Sequence, residues 1–186
     1  MSHKLLFNNV KNKINVDYVS YIESSGNQYI NTNYVPNINS VFEFNYTPLA
    51  DRSFEFGNSQ IKGFRNYDNR YALTVNSVVY YFSNCKYNVP HIIKSKNKSF
   101  TIDEVETVED GMVFNFDSTE PIYIFGSNSN KSYARMILNY FKISENDKLI
   151  RDYRPCLDNK GVACLWDEVT QQYFYNLGTG KFSYKK

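Results

Sequence analysis

The chain has 186 residues, a formal net charge of +2 and 42% hydrophobic residues. This length predicts one domain with a substantial core, and a charge so close to zero argues against a dedicated nucleic-acid binder, whose basic face would dominate the balance. Seventeen Tyr and fourteen Phe favour strands, while twenty-four Asn favour turns, so the composition predicts an all-β domain.

The first sixteen residues differ from the rest because they lack the rhythm of strands and turns. Their large apolar side chains are Leu5, Leu6, Phe7, Val10 and Ile14. Such a short segment cannot order itself, so we expect residues 1–16 to be an arm that docks on a partner, followed by a sandwich domain over residues 17–186. No apolar run has the length of a signal peptide or a membrane span, so we expect a soluble protein made in a reducing compartment, with no membrane partner.

Strand signals begin at Asp17 and continue along the chain. In VFEFNYT (41–47) polar and apolar residues alternate, which is typical of a strand with one buried face. The predicted strands cover residues 17–23, 27–35, 41–47, 53–57, 71–75, 77–83, 98–106, 112–116, 121–126, 134–144, 148–154, 163–167 and 172–176. So many strands require two sheets packed face to face, and we therefore predict an antiparallel two-sheet sandwich.

The basic residues Lys94, Lys96 and Lys98 recur with a period of two, which places them on one side of an extended segment. We interpret them as a solvated strand edge rather than a phosphate site.

Two of the three cysteines lie in PCLDNKGVACLWD (155–167). A three-residue loop with Gly161 in the left-handed conformation would place Cys156 directly opposite Cys164. A disulfide is geometrically possible there, but a reducing compartment favours two buried thiols. A zinc site is less favoured, because His91, the nearest histidine, is 65 residues away in sequence.

Distinctive motifs occur at both ends of the chain: YIESSGNQYINTNYVPN (21–37) and LIRDYRPCLDNKGVACLWDEVTQQYFYNLGTGKF (149–182). They resemble the opening and the end of a lectin-like domain of bacteriophage structural proteins. The matching residues of the end are Arg151, Asp152, Tyr153, Pro155, Cys156, Gly161, Leu165, Trp166, Asp167, Asn176, Gly178, Thr179 and Gly180. The resemblance runs from about Asp17 to Tyr184 and is loose between residues 48 and 115.

This resemblance implies a concanavalin A-like, laminin-G-like jelly roll and a place in a virion as fibre, baseplate or capsid decoration. It implies partners among other virion proteins, with the arm as anchor, in a homo-oligomer or larger assembly. Two functions stay open at this point: attachment to host surface carbohydrate, and a purely structural role that involves no sugar. We expect no cofactor, metal or nucleic acid.

The stretch RNYDNRY (65–71) combines aromatic rings with planar amide, guanidinium and carboxylate groups, as sugar binding requires. The candidate carbohydrate-binding residues are Tyr67, Asp68, Asn69, Arg70 and Tyr71, which we place in a loop on a rigid scaffold. The alternative is that Tyr71 begins a strand and packs inward while its neighbours form the turn.

Some relatives of this fold are glycoside hydrolases with Glu-x-Asp-x-x-Glu on one strand. The nearest match here has Thr101 where the nucleophile should stand, followed by Asp103 and Glu106. Since a retaining mechanism needs two carboxyl groups, we expect no enzyme activity. A Cys85–His91 dyad has no motif around it, and Trp166 is expected in the core.

Overall fold

The computed structural model describes residues 15–58, 60, 62–75, 78–96, 99–108, 117–127 and 133–186. These residues form strands and turns and contain no helix. The strands are β1 (Asp17–Tyr18), β2 (Tyr21–Ser25), β3 (Ile30–Asn31), β4 (Ser40–Pro48), β5 (Ser53–Asn58), β6 (Lys62–Tyr67), β7 (Arg70–Val75), β8 (Val78–Asn84), β9 (His91–Lys96), β10 (Ser99–Ile102), β11 (Val105–Val108), β12 (Tyr123–Ile124), β13 (Arg135–Glu145), β14 (Lys148–Leu157), β15 (Ala163–Asp167), β16 (Gln172–Phe174) and β17 (Ser183–Lys185). In this part of the chain no helix could serve as a membrane span.

The strands form two antiparallel sheets that pack against each other, which confirms the predicted sandwich. The larger sheet has eleven strands, with β11-β10-β9-β4-β13-β14-β15-β16 as its main order. The short strands β1 and β2 pair with β14 and β13 respectively, and β17 adds to β2. The smaller sheet has six strands in the order β3-β12-β5-β6-β7-β8.

Aromatic rings from both sheets fill the space between them. Phe44 on β4 contacts Phe56 on β5 and Phe64 on β6, with ring centroids 5.5 and 5.3 Å apart. Phe44 also stacks on Phe141 of the neighbouring strand β13 at 5.5 Å. Each of these rings is fully buried, and such burial contributes about 1.5–3 kcal/mol per side chain. The alternation seen in VFEFNYT therefore marks the core face of the larger sheet.

Left-handed residues close several of the hairpins. The β6–β7 turn has φ of 52° at Asp68 and 58° at Asn69, and the β13–β14 turn repeats this at Asn146 and Asp147. Positive φ at both central residues is the conformation of type I′ turns, which suit the twist of paired strands. Asn and Asp adopt it more readily than other non-glycine residues. The abundant Asn residues thus mark turns, as the composition indicates.

The structure corrects several predicted strand bounds. The predicted strand 98–106 is a hairpin, because Asp103 and Glu104 have positive φ and form a turn between β10 and β11. RNYDNRY, predicted as a loop, is the β6–β7 hairpin. Three strands, β6, β9 and β17, were not predicted. The predicted strand 112–116 and the apolar arm residues Leu5, Leu6, Phe7, Val10 and Ile14 lie outside the described residues.

Candidate functional site

The outer face of the six-stranded sheet carries the candidate site. On β6 and β7 successive side chains point to opposite sides of the sheet. Phe64 and Tyr71 belong to the buried core cluster, so Arg65, Tyr67 and Arg70 point away from it. These three side chains are partly exposed. The hairpin thereby divides its residues between the core and the outer surface.

Arginine and tyrosine side chains stack on one another across this surface. The Arg65 guanidinium lies 4.2 Å from the ring centroid of Tyr67 and 5.2 Å from that of Phe54. Arg70 lies 3.8 Å from the ring of Tyr81 on β8, and the Tyr67 and Tyr81 rings are 6.3 Å apart. Cation–π attraction holds the planar guanidinium groups over the rings. We call Arg65, Tyr67, Arg70 and Tyr81 the Arg–Tyr face.

Hydrogen bonds hold the turn beside this face in place. The Asn69 N–H donates to the Asp51 carboxylate at 3.2 Å, and the Asn69 carbonyl accepts from the Cys85 N–H at 2.8 Å. Arg52 donates to Asp68 at 3.1 Å. Arg52 itself has a φ of 59°, which is uncommon for a residue with a Cβ atom. Contacts from two separate segments, Asp51–Arg52 and Cys85, therefore pre-organise the turn.

The Arg–Tyr face is positively charged. Within the described residues, neither Arg65 nor Arg70 forms an ion pair with a carboxylate. The buried Nε atom of Arg65 also has no hydrogen-bond partner there. Asp68 is the nearby acidic residue of the turn, and its carboxylate binds Arg52, which is 71% exposed. Among the described residues, the two stacked guanidinium groups thus have no carboxylate acceptor for their N–H donors.

More aromatic rings continue the surface towards the other edge of the sheet. Tyr29 stacks on Tyr133 with centroids 5.2 Å apart and lies 5.9 Å from Tyr123 on β12. An isolated bridge pairs Phe54 with Tyr133. Aromatic side chains therefore extend from β8 across to β12. Phe54 and Tyr123 are buried in this row, whereas Tyr29 and Tyr133 are partly exposed.

Four of the five predicted sugar-binding residues lie together at this site. Tyr67 and Arg70 are directly opposite each other on β6 and β7, joined by Asp68 and Asn69. The prediction for Tyr71 is wrong: its side chain is only 1% exposed and belongs to the core. The reason is that successive side chains of a strand point to opposite faces of the sheet, so Tyr71 points into the core while Arg70 points outwards.

The sequence analysis missed Arg65 and Tyr81, which complete the face. Tyr81 lies opposite Ala72 in the β7–β8 pairing, and Ala72 lies opposite Arg65 in the β6–β7 pairing. A signal was present in RNYDNRYALTV, where Arg65 shares the period-two pattern of Tyr67. No comparable pattern links Tyr81 to these residues before the strands are paired.

A buried carboxyl group lies on the inner side of the same sheet. Glu55 is 1% exposed, because a register shift between Phe54 and Phe56 in the β5–β6 pairing adds a residue to β5. The Ser53 hydroxyl donates to its Oε1 at 3.2 Å, and its Oε2 has no hydrogen-bond partner within the described residues. Burial raises the pKa of Glu55 well above its ordinary value, and the nearby Asp51 carboxylate adds to the shift.

Cys85 and His91 do not form a dyad. The His91 Nδ1 contacts the Asp103 carboxylate at 2.6 Å, and its Nε2 contacts the Lys86 carbonyl at 2.9 Å, so both ring nitrogens are engaged elsewhere. Burial raises the pKa of Cys85 to about 12. A thiol with such a pKa is a weak nucleophile at neutral pH, because little thiolate forms.

The residues that match the hydrolase signature do not share one strand. Thr101 on β10 lies directly opposite Glu106 on β11, and Asp103 is in the turn between them with its carboxylate on His91. The two carboxyl-bearing residues are therefore separated by a change of chain direction, which differs from the one-strand arrangement that the resemblance implies.

The cysteine hairpin has the predicted register. Cys156 pairs with Cys164, Gly161 has a φ of 75°, and the two sulfur atoms are 3.6 Å apart without a disulfide. Hydrogen bonding to Cys164, followed by burial, raises the pKa of Cys156. Trp166 packs with both thiols and Tyr173, and its 3% exposure confirms a buried role.

The lysine pattern on β9 belongs to the larger sheet. Lys94 pairs with Glu43 at 3.7 Å and is half exposed, so it is solvated. The predicted strand edge is wrong, because β9 lies between β10 and β4, and Lys98 lies outside the described residues. Within the described residues, no group of three or more His, Cys, Asp or Glu side chains is arranged to hold a metal ion.

Comparison with protein-family models found no match for the chain, and comparison with curated proteins found no similar protein.

Proposed function

We propose that the chain is a carbohydrate-binding sandwich domain that holds its ligand on the Arg–Tyr face. The observation that carries this proposal is the set of guanidinium groups stacked on partly exposed tyrosine rings. A sugar ring has apolar C–H patches that pack on aromatic rings and hydroxyl oxygens that accept hydrogen bonds from guanidinium N–H groups. Both kinds of contact are available here within one small area.

The site also has the rigidity that weak sugar contacts require. Its side chains stand on three neighbouring strands, β6, β7 and β8, and the turn is held by Asp51 and Cys85. A ligand that meets ordered side chains loses less free energy to their immobilisation. Residues on paired strands are also positioned more accurately than residues on long loops.

The proposal is tested by screening the purified protein against an array of bacterial and plant glycans. We expect Tyr81→Ala to weaken binding of any glycan hit about tenfold or more, since loss of one stacking ring is worth roughly 1.4 kcal/mol. Tyr184→Ala is the matched control, because Tyr184 is exposed on the other sheet. The proposal fails if no glycan binds, or if only the Tyr184 change reduces binding.

The resemblance of the two ends of the sequence supports a biological setting for such a module. The two ends of the sequence resemble lectin-like domains of bacteriophage structural proteins, so we place the chain in a virion, where it would attach the particle to host carbohydrate. The arm would join it to other virion subunits or to copies of itself. Deleting residues 1–14 should leave thermal unfolding nearly unchanged and shift the oligomer to monomer in sedimentation. Unchanged assembly would refute the anchoring role.

A structural role without sugar is the second candidate. A cavity of about 370 Å³ at the end of the larger sheet is lined by Val162, Tyr175 and Tyr184, among others. All three residues are exposed, and clustered exposed apolar residues often mark contacts between subunits. Under this alternative, Tyr184→Asp dissociates the assembly while Tyr81→Ala leaves all measured properties unchanged.

A further inference from the structure

The charge of the Arg–Tyr face restricts the class of sugar that fits it. Arg65 and Arg70 have no carboxylate partner within the described residues. The Asp68 carboxylate is bound to Arg52. Glu55 does not compensate either, because its side chain is on the inner side of the sheet, where burial favours the neutral carboxyl. Within the part of the chain that the structure describes, the two positive charges are therefore not neutralised by an ion pair of their own.

The stacked geometry presents these charges in a form suited to oxyanions. A guanidinium that lies over a ring, as Arg70 lies 3.8 Å from the Tyr81 ring centroid, keeps the N–H donors at its edge available. These donors match the two oxygens of a carboxylate, sulfate or phosphate group. For Arg65, the buried Nε lacks a partner, and such an unsatisfied donor destabilises the unliganded protein. That atom is itself buried, so a ligand would contact Arg65 through the partly exposed remainder of its side chain.

The spacing of the two arginines favours a ligand with more than one charge. Arg65 is opposite Ala72, two residues from Arg70 on the same strand, so the arginines are diagonal neighbours. Diagonal neighbours on paired strands have Cα atoms about 7–8 Å apart. Tyr67 and Tyr81 provide ring surfaces beside both groups. A chain of sugars that repeats its charge can reach both arginines at once.

We propose that the Arg–Tyr face binds an anionic polysaccharide whose sugars carry carboxylate, sulfate or phosphate groups, an inference that rests on the carbohydrate-binding function proposed above. Arg65 and Arg70 contact the charged groups, and Tyr67 and Tyr81 contact the sugar rings. Carboxylate, sulfate and phosphate groups share one chemistry, because each is an oxyanion attached to the sugar polymer.

Binding can be measured by isothermal titration calorimetry with three polymers as probes: polygalacturonate, dextran sulfate and uncharged dextran. We expect the protein to bind at least one of the two charged polymers and to bind dextran much more weakly. The stronger of the two charged probes shows whether carboxylate or sulfate-like groups are preferred. Arg70→Gln and Arg65→Gln should each weaken that binding about tenfold, the effect of losing a charge-assisted hydrogen bond.

Two further variants separate specific contacts from general attraction of polyanions. Arg70→Lys keeps the charge but not the planar fork, so we expect weakened binding here as well. Arg135→Gln is the matched control, because Arg135 is an exposed residue of β13 in the other sheet and its loss changes the net charge equally. An equal loss of affinity in Arg135→Gln would overturn the proposal, since only non-specific attraction would remain.

The remaining outcomes distinguish this inference from the proposed function. One outcome is that a neutral glycan binds, that Tyr81→Ala abolishes this binding, and that the arginine variants do not affect it. In that case the face binds sugar, but the inference of an anionic ligand is wrong. If no glycan of any charge binds, both are wrong. Tighter binding of oligothymidylate than of either charged polysaccharide would also overturn the inference, because it would assign the face to single-stranded nucleic acid.

Discussion

Replacing Glu55 by Gln should make the protein more stable at neutral and alkaline pH. The Glu55 side chain is 1% exposed, and its Oε2 has no hydrogen-bond partner within the described residues. Burial therefore raises the pKa of this carboxyl in the folded protein. Gln has nearly the same shape and no charge, so the variant removes the cost of ionising a buried group while it keeps the packing.

The magnitude follows from proton linkage. Because the pKa of Glu55 is higher in the folded than in the unfolded chain, the folded state binds more protons between the two pKa values. The free energy of unfolding of the wild type therefore falls as pH rises through that range, by up to about 1.4 kcal/mol per pH unit for this one group. Below the ordinary pKa of glutamate, Glu55 is protonated in both the folded and the unfolded chain. The wild type and Glu55→Gln should therefore be similarly stable there.

The assay is urea unfolding at several pH values from mildly acidic to mildly alkaline. The fluorescence of Trp166, the single tryptophan, reports the transition because this side chain is buried. We expect the stability difference between Glu55→Gln and wild type to grow in favour of the variant as pH rises. Glu106→Gln, a change at an exposed residue, is the matched control and should show no such trend. A difference that does not depend on pH, or a variant less stable under alkaline conditions, would refute the argument.

Three other predictions concern the thiols, catalysis and a close backbone contact. Cys156 and Cys164 should both react with a thiol reagent when the protein is unfolded without reductant, and replacing both by Ala should cost only about 1 kcal/mol per deleted sulfur. Wild type and Glu106→Gln should release equally little reducing sugar from β-glucans, because Thr101 stands where the hydrolase motif has its nucleophile. Gly63→Ala should lower the unfolding temperature strongly, since the new Cβ would lie 2.2 Å from the Phe56 carbonyl oxygen.

Each of these tests has a clear contrary result. Two blocked thiols in fresh protein would show that the hairpin is bridged in solution. Sugar release by the wild type that is lost in Glu106→Gln would establish an enzyme. Gly161→Ala is the control for Gly63→Ala, because a Cβ at Gly161 would meet no atom within 4 Å. Only the positive φ of residue 161 then destabilises this variant, by about 1–2 kcal/mol. Equal losses in the two glycine variants would refute the close-contact argument.

Local patterns in the sequence were sufficient for the fold class and for one complete hairpin. The alternation in 41–47 predicted a half-buried strand, and the loop chemistry around Gly161 predicted the pairing of Cys156 with Cys164. Both depend on residues close in sequence, where the backbone preferences of Gly and Asn and the period of two operate directly. Strands such as β6 were missed because Arg65 and Asn66 interrupt the apolar pattern, although Asn66 is buried.

The sequence by itself therefore determined that the chain is an all-β sandwich, and it pointed to residues 67–70, which share one hairpin, as a candidate site. Only the tertiary structure decided which side chains share that surface. Tyr71 turned to the core, whereas Tyr81 joined Arg70 from the next strand. The reason is that the side-chain period within a strand is local, while the register between strands depends on pairing and on the packing of a whole face.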